Sequence, residues 1–325
     1  MRRRDFVLAA GATVLCCPTT VLAQSIRDAV IGYVNFRAPE HYPTLGALRQ
    51  GMADVGIQNA QAIPIEYRWP GEKGTSWEEL VQDLVRRRVT VICTDGEVSA
   101  FAAKRVTQDV PVVFVIGSDP VRQGIVASFA RPGGNMTGVS NMNVELGPKR
   151  LEILLEIIPT ARRLGVLANP RSAFTEHALQ EMRSVARATA KPMIVYEASS
   201  SEQLASSFAA AGEAGIQALV IIADNFFHNW SKQIGILSLR HRVPAIYAIK
   251  EFVAAGGLVS YGTDLLQNHR QRGQYVGRML KGEKPADLPV QQPTRFDLAI
   301  NVKTAAALGI EVPPMMLARA DEVIE

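Results

Sequence analysis

Residues Val112 to Ile116 form an unbroken apolar run that ends abruptly in Gly117-Ser118-Asp119. A hydroxyl and a carboxylate at the end of a buried segment can hold a phosphate, take part in a reaction, or grip a solute. The same juxtaposition recurs along the chain. Asn35 and Phe36 follow "AVIGYV", Trp69 closes "IPIEYRW", and Thr94-Asp95 closes "VTVICTD". Asn169 follows "RLGVLA" with Ser172 three residues on, and Asp224-Asn225 follows "ALVIIA". Tyr247 and Glu251 lie in "VPAIYAIKE", and Tyr261, Thr263 and Asp264 in "GLVSYGTD". Apolar runs of this length suit strands buried on both faces of a parallel sheet. In such sheets ligands collect beyond the carboxyl ends of the strands.

Reactive signatures are missing. The chain has no G-x-G-x-x-G and no G-x-x-x-x-G-K-[ST], the two spacings that cradle phosphates. It has no G-x-S-x-G nucleophile elbow. Its five His residues are scattered, with no H-E-x-x-H and no metal-like Cys/His spacing. No metal, no cofactor and no enzymatic activity are therefore expected. Gly117 permits a tight turn, and Pro120 suits the start of a turn or helix. Asp119 then either faces a ligand or caps that helix, and Asp224 has the same two options.

The elements that must carry these residues come in two similar sets. The first runs through strands at 29–35, 63–69, 89–95 and 110–119, and the second through 163–169, 191–198, 218–224 and 243–251, with amphipathic helices between. Each set is long enough for its own α/β layer, wound by right-handed crossovers. The expected fold is α/β: two doubly wound parallel-sheet lobes joined by a multi-strand hinge. Residues 29–140 with about 265–285 are expected in lobe one, and 141–264 with about 286–325 in lobe two. Opposed lobes bring the strand ends face to face across a cleft that a hinge can close. Phe36, Trp69, Tyr247 and Tyr261 would add ring faces at its rim, suited to an apolar body and to an ammonium group. An amino acid, or a similar aromatic zwitterion or acid, is the expected ligand.

The start of the chain has the form of an export signal. Arg2, Arg3 and Arg4 precede a short apolar stretch, Val7 to Leu15, and Val21-Leu22-Ala23 offers a cleavage site before Gln24. "RRDFV" resembles a twin-arginine signal. Loss of residues 1–24 removes three Arg and one Asp, taking the formal charge from +4 to +2. A nearly neutral body argues against nucleic acid as a partner. Of three Cys residues only Cys93 lies beyond that segment, so no internal disulfide is expected. No later stretch reaches 18 consecutive apolar residues. The processed protein is expected in the periplasm.

Taken together, "VIGYVN", "ALRQGMADVG", "VPAIYAIKEFVAAGGLVSYG" and above all "PVVFVIGSDPVRQGIVASFARPGGNMTGVS" resemble ABC-transporter substrate-binding proteins of the tryptophan/tyrosine-type group. The resemblance covers essentially all of residues 29–325. It implies the type I periplasmic-binding fold, capture of a small-molecule ligand by hinge closure, and delivery to an ABC permease in the inner membrane. A monomer is expected, because a moving cleft needs no second subunit. A repressor of the same fold would need a DNA-binding segment where this chain has its export signal. An exported ligand-sensing protein of the same fold, feeding a receptor, remains the alternative, with an exported α/β enzyme behind it.

Overall fold

The computed structural model describes residues 28–36, 38, 44–71, 74–172 and 174–325; the export signal read at 1–24 lies outside them. In the first half, strands β1 (Ile31–Val34), β2 (Ile65–Arg68), β3 (Val91–Asp95), β4 (Val112–Ile116) and β5 (Met136–Ser140) pair in the order β2-β1-β3-β4-β5. Every pairing is parallel. β1, β3, β4 and β5 are buried along their whole length. Their β-branched residues pack well on a pleated surface covered on both sides.

The second half adds β6 (Leu164–Ala168), β7 (Met193–Glu197), β8 (Ala218–Ile221), β9 (Ala245–Tyr247), β10 (Val259–Gly262), β11 (Asp297–Asn301) and β12 (Glu322–Ile324). Their order is β12-β11-β10-β9-β8-β6-β7. The segment β7-β6-β8-β9-β10 repeats the winding of β2-β1-β3-β4-β5, so the duplicated sequence pattern is a duplicated topology. β11 extends the sheet antiparallel to β10.

The chain passes between the sheets three times. Residues 141–146 lead from β5 to the helix Gly147–Ile157, whose Leu151, Leu154 and Ile157 enter the second core. After β10 the helix Leu265–Leu280 returns to the first half, burying Tyr275, Val276 and Met279 there. It crosses the helix Thr44–Asp54 at backbone contact: a Cβ on Gly51 would strike the Arg270 carbonyl, and one on Gly273 the Leu48 carbonyl.

The third passage falls later than the sequence pattern suggested. The expected boundary was about 286, but residues 285–291 stay with the first sheet. Gln291 N–H donates to the Gly138 carbonyl at 2.9 Å, and Ser140 N–H donates to the Gln291 carbonyl at 2.9 Å. Thr137 Oγ1 donates to the Leu288 carbonyl at 2.7 Å. Leu288 and Val290 are buried, and their apolar side chains hold this segment on the first lobe until 292–296.

Candidate functional site

The carboxyl ends of the two sheets face one another across a cavity of about 360 Å³, within the range of small-molecule sites. Phe36, Trp77, Val98, Phe174, Phe226 and Phe252 supply much of its apolar wall. The lobes touch around it. The Phe36 and His228 rings lie 6.4 Å apart across the cleft, and within lobe two His228 lies 6.4 Å from Phe252. On the rim, Arg122 Nη1 and His177 Nε2 are 2.9 Å apart. Asn225 packs on Gly96, whose φ of 79° and ψ of 166° suit glycine alone.

Six of the residues singled out in the sequence line the cavity: Phe36, Asp95, Asn169, Ser172, Asp224 and Asn225. Asp224 does two things at once. Its Oδ1 accepts from Phe226 N–H at 2.8 Å, capping the helix Asn225–Asn229, and from Asn169 Nδ2 at 3.0 Å. Burial raises its carboxyl above the ordinary range, while Asn169, Phe226 and Ser172 oppose that rise.

Asp95 belongs to a buried network beneath the cavity. Arg272 Nη1 donates to its Oδ1 at 2.7 Å, and Tyr33 Oη and Asn35 Nδ2 donate to its Oδ2 at 2.8 and 2.7 Å. Arg272 also reaches Tyr33 Oη and His269 Nδ1. Burial, followed by the Arg272 and His228 charges, keeps His269 well below the usual histidine range, hence neutral. His269 lines the cavity beside Asp95. This network joins β1, β3 and the returning helix.

The other expected contacts are placed elsewhere. Asn35 and Thr94 are buried behind the cavity wall; the Thr94 carbonyl accepts from Arg272 at 3.3 Å. Trp69 is 40% exposed beside Tyr67, outside the cavity. Tyr247 is a core residue stacked on Phe252 at 4.7 Å. Asp119 caps its own turn through the amides of Val121 and Arg122, at 2.8 and 3.0 Å. Asp264 caps the helix Leu265–Leu280 and pairs with Lys250 at 3.0 Å. Glu251 opens a short helix away from the lining. Tyr261 lies in β10, and Thr263 follows it at the start of the second passage. The Tyr261 carbonyl accepts from Arg150 Nε at 2.7 Å, and Thr263 Oγ1 accepts from Asn268 Nδ2 at 2.9 Å.

Ser118 shows what the opening hydroxyl does. Its Oγ and N–H both donate to Glu97 Oε1 at 3.0 Å, and Gly117 N–H donates to the same oxygen at 2.9 Å. Glu97, not singled out in the sequence, is the first residue of the helix Glu97–Val106 and lines the cavity. Burial raises its carboxyl, and the Asp224 charge across the cavity adds to the rise. The one sequence signal for it was an acid following Gly96 at a strand-to-helix turn. Cys93 is buried, its thiol pushed up to about 12 by burial, and so lacks thiolate character. Among the described residues no group of His, Cys, Asp and Glu could hold a metal.

The family described as ABC transporter substrate binding protein matches residues 29–324. A tyrosine-binding protein of Clostridioides difficile (strain R20291) is 22% identical over 276 residues, covering 83% of this chain and 79% of that one. A solved conserved domain protein of Vibrio cholerae is 25% identical with a TM-score of 0.80, covering 91% of this chain and 99% of its own. An ABC domain from Streptococcus pneumonia, solved with L-Trp, is 24% identical with a TM-score of 0.78 over the same shares.

Proposed function

The chain belongs to the ABC transporter substrate-binding family, whose members bind a substrate and are not enzymes, and from that premise we propose that it captures a small solute for an importer. The solute carries an apolar or ring-bearing body and an ammonium group, as an amino acid does. It lies in the cleft, the lobes close on it about the three passages, and the closed form delivers it to a permease in the inner membrane. The protein works as a monomer in the periplasm, after loss of residues 1–24 near Ala23.

The observation that carries this reading is the cavity. Its wall is drawn from both lobes, is largely apolar and aromatic, and presents carboxylates. The relatives named for tyrosine and L-Trp agree with such a solute. The test is a thermal-shift screen of the purified protein against amino acids, amines, aromatic acids and sugars. A solute held only by the folded state at a hundred times its Kd adds about 2.7 kcal/mol. Mass spectrometry of the released solute should return it chemically unchanged, one per chain. A solute returned as product would sink the reading, as would a screen with no shift.

A further inference from the structure

Binding an amino acid would require places for both an ammonium and a carboxylate. Lobe one has two places suited to an anion at or just behind the cavity wall. One is the pair of amides at the end of β4, Gly117 and Ser118, with the Ser118 hydroxyl. The other is the N-terminus of the helix Glu97–Val106, where no side chain caps the backbone and a partial positive charge gathers. Glu97 fills both. It is that helix's first residue, and its Oε1 takes all three donors at the end of β4, at 2.9 to 3.0 Å. A solute carboxylate there would meet a carboxylate already seated.

Asp224 faces Glu97 from the other lobe. The residues beside them, Gly96 and Asn225, are packed against each other, both acids line the one cavity, and the Asp224 charge acts on Glu97. Asp95 is neutralised by Arg272 at 2.7 Å. Among the described residues no cationic side chain pairs with Glu97 or Asp224 within 4.0 Å, and Arg171, the cationic Arg or Lys of the lining, is exposed. Two carboxylates bordering one partly dry, aromatic-walled site, with no cation paired to either among the described residues, suit a cation from outside.

We propose that this cleft recognises its solute by a protonated amine seated between Glu97 and Asp224, with no requirement for a carboxylate. The substrate class is amines on an apolar or aromatic body. The inference rests on the solute-capture reading and narrows it: the amino acid's ammonium is read, and its carboxylate is not.

Calorimetric titration of the purified protein with three matched series tests it. The series are tryptamine, L-tryptophan and indole-3-propionate; tyramine, L-tyrosine and 3-(4-hydroxyphenyl)propionate; and 3-methylbutylamine, L-leucine and 4-methylpentanoate. In at least one series the amine should bind at least as tightly as the amino acid, with the acid weaker by ~10-fold or more, the scale of a lost charge-assisted hydrogen bond. Glu97→Gln keeps the Oε1 acceptor and Asp224→Asn keeps the helix cap. Each should weaken the amine by ~10-fold or more while the empty variants still melt cooperatively. The inference is overturned if an acid or amino acid binds in preference to its amine in every series that binds, or if amine affinity ignores both substitutions. Silence from all nine compounds also overturns it, while the wider thermal screen decides solute capture on its own.

Discussion

Glu97 and Asp224, from opposite lobes, present carboxyls to one cavity while each is held by donors of its own lobe. Gly117 and Ser118 fix the first, and Asn169 and Phe226 fix the second. Fixed acids of like charge are a poor arrangement for an empty protein and a good one for holding a cation.

The pH dependence follows from that cost. Burial, and for Glu97 also the Asp224 charge, raises both carboxyls in the folded protein above their ordinary values of 4.5 and 3.8. A raised folded-state pKa gives stability that is present below the unfolded value and lost as pH rises through the folded one. Glu97→Gln removes that loss. In thermal melts of the empty protein, the variant should therefore gain on wild type as pH climbs above 4.5. Amine affinity should move the opposite way in wild type, rising with pH as the acids ionise. A melting difference that is flat with pH would contradict the strained acid pair.

Gly96 sits where a Cβ would strike Asn225, in a backbone region that L-residues avoid. Gly96→Ala should cost ~1–3 kcal/mol of strain and also hold the lobes apart. Urea unfolding would read the first effect and solute titration the second. Unchanged solute affinity in a folded variant would show that this contact plays no part in closure.

The returning helix depends on two glycines. Gly51→Ala or Gly273→Ala places a methyl against a backbone carbonyl that cannot rotate away. Each should destabilise by ~1–3 kcal/mol or more, as overpacked sites do. Because the same helix carries His269 and Arg272 beneath the cavity, solute affinity should fall with stability. Chemical denaturation compared with titration would show whether the two losses travel together.

Arg150, 1% exposed, ties the passage at 141–146 to strand β10. Its Nε donates to the Tyr261 carbonyl, and its Nη1 and Nη2 to the Asn143 carbonyl and Oδ1, at 2.7 to 3.0 Å. Arg150→Met keeps the volume and leaves buried acceptors unmatched, at ~1–3 kcal/mol for each. A lower urea midpoint is expected. Full stability in the variant would mean that solvent satisfies those carbonyls.

The winding was legible because each α/β set declares itself locally, through β-branched runs for strands and amphipathic spacing for helices. The repeated pattern then implied a repeated topology. The site was only partly legible because an acid at a strand's end has two uses that residue type does not separate. Asp119 and Asp264 spend their carboxylates on neighbouring backbone amides; Asp224 caps a helix and still borders the cavity. Glu97 looks in sequence like an ordinary first-turn acid. Its significance arises only when β4 brings Gly117 and Ser118 beside it, a contact across 20 residues. Tyr247 fits an aromatic rim by type, but its ring turns inward to stack on Phe252.

Small-angle X-ray scattering tests the central claim most directly. Curves would be recorded for the empty protein and with a saturating amount of whichever solute the thermal screen ranks first. The radius of gyration should fall when the solute is added to wild type, and Gly96→Ala should remain extended under the same conditions. Superimposable curves from empty and calorimetrically saturated wild-type protein would contradict a cleft that closes on its solute.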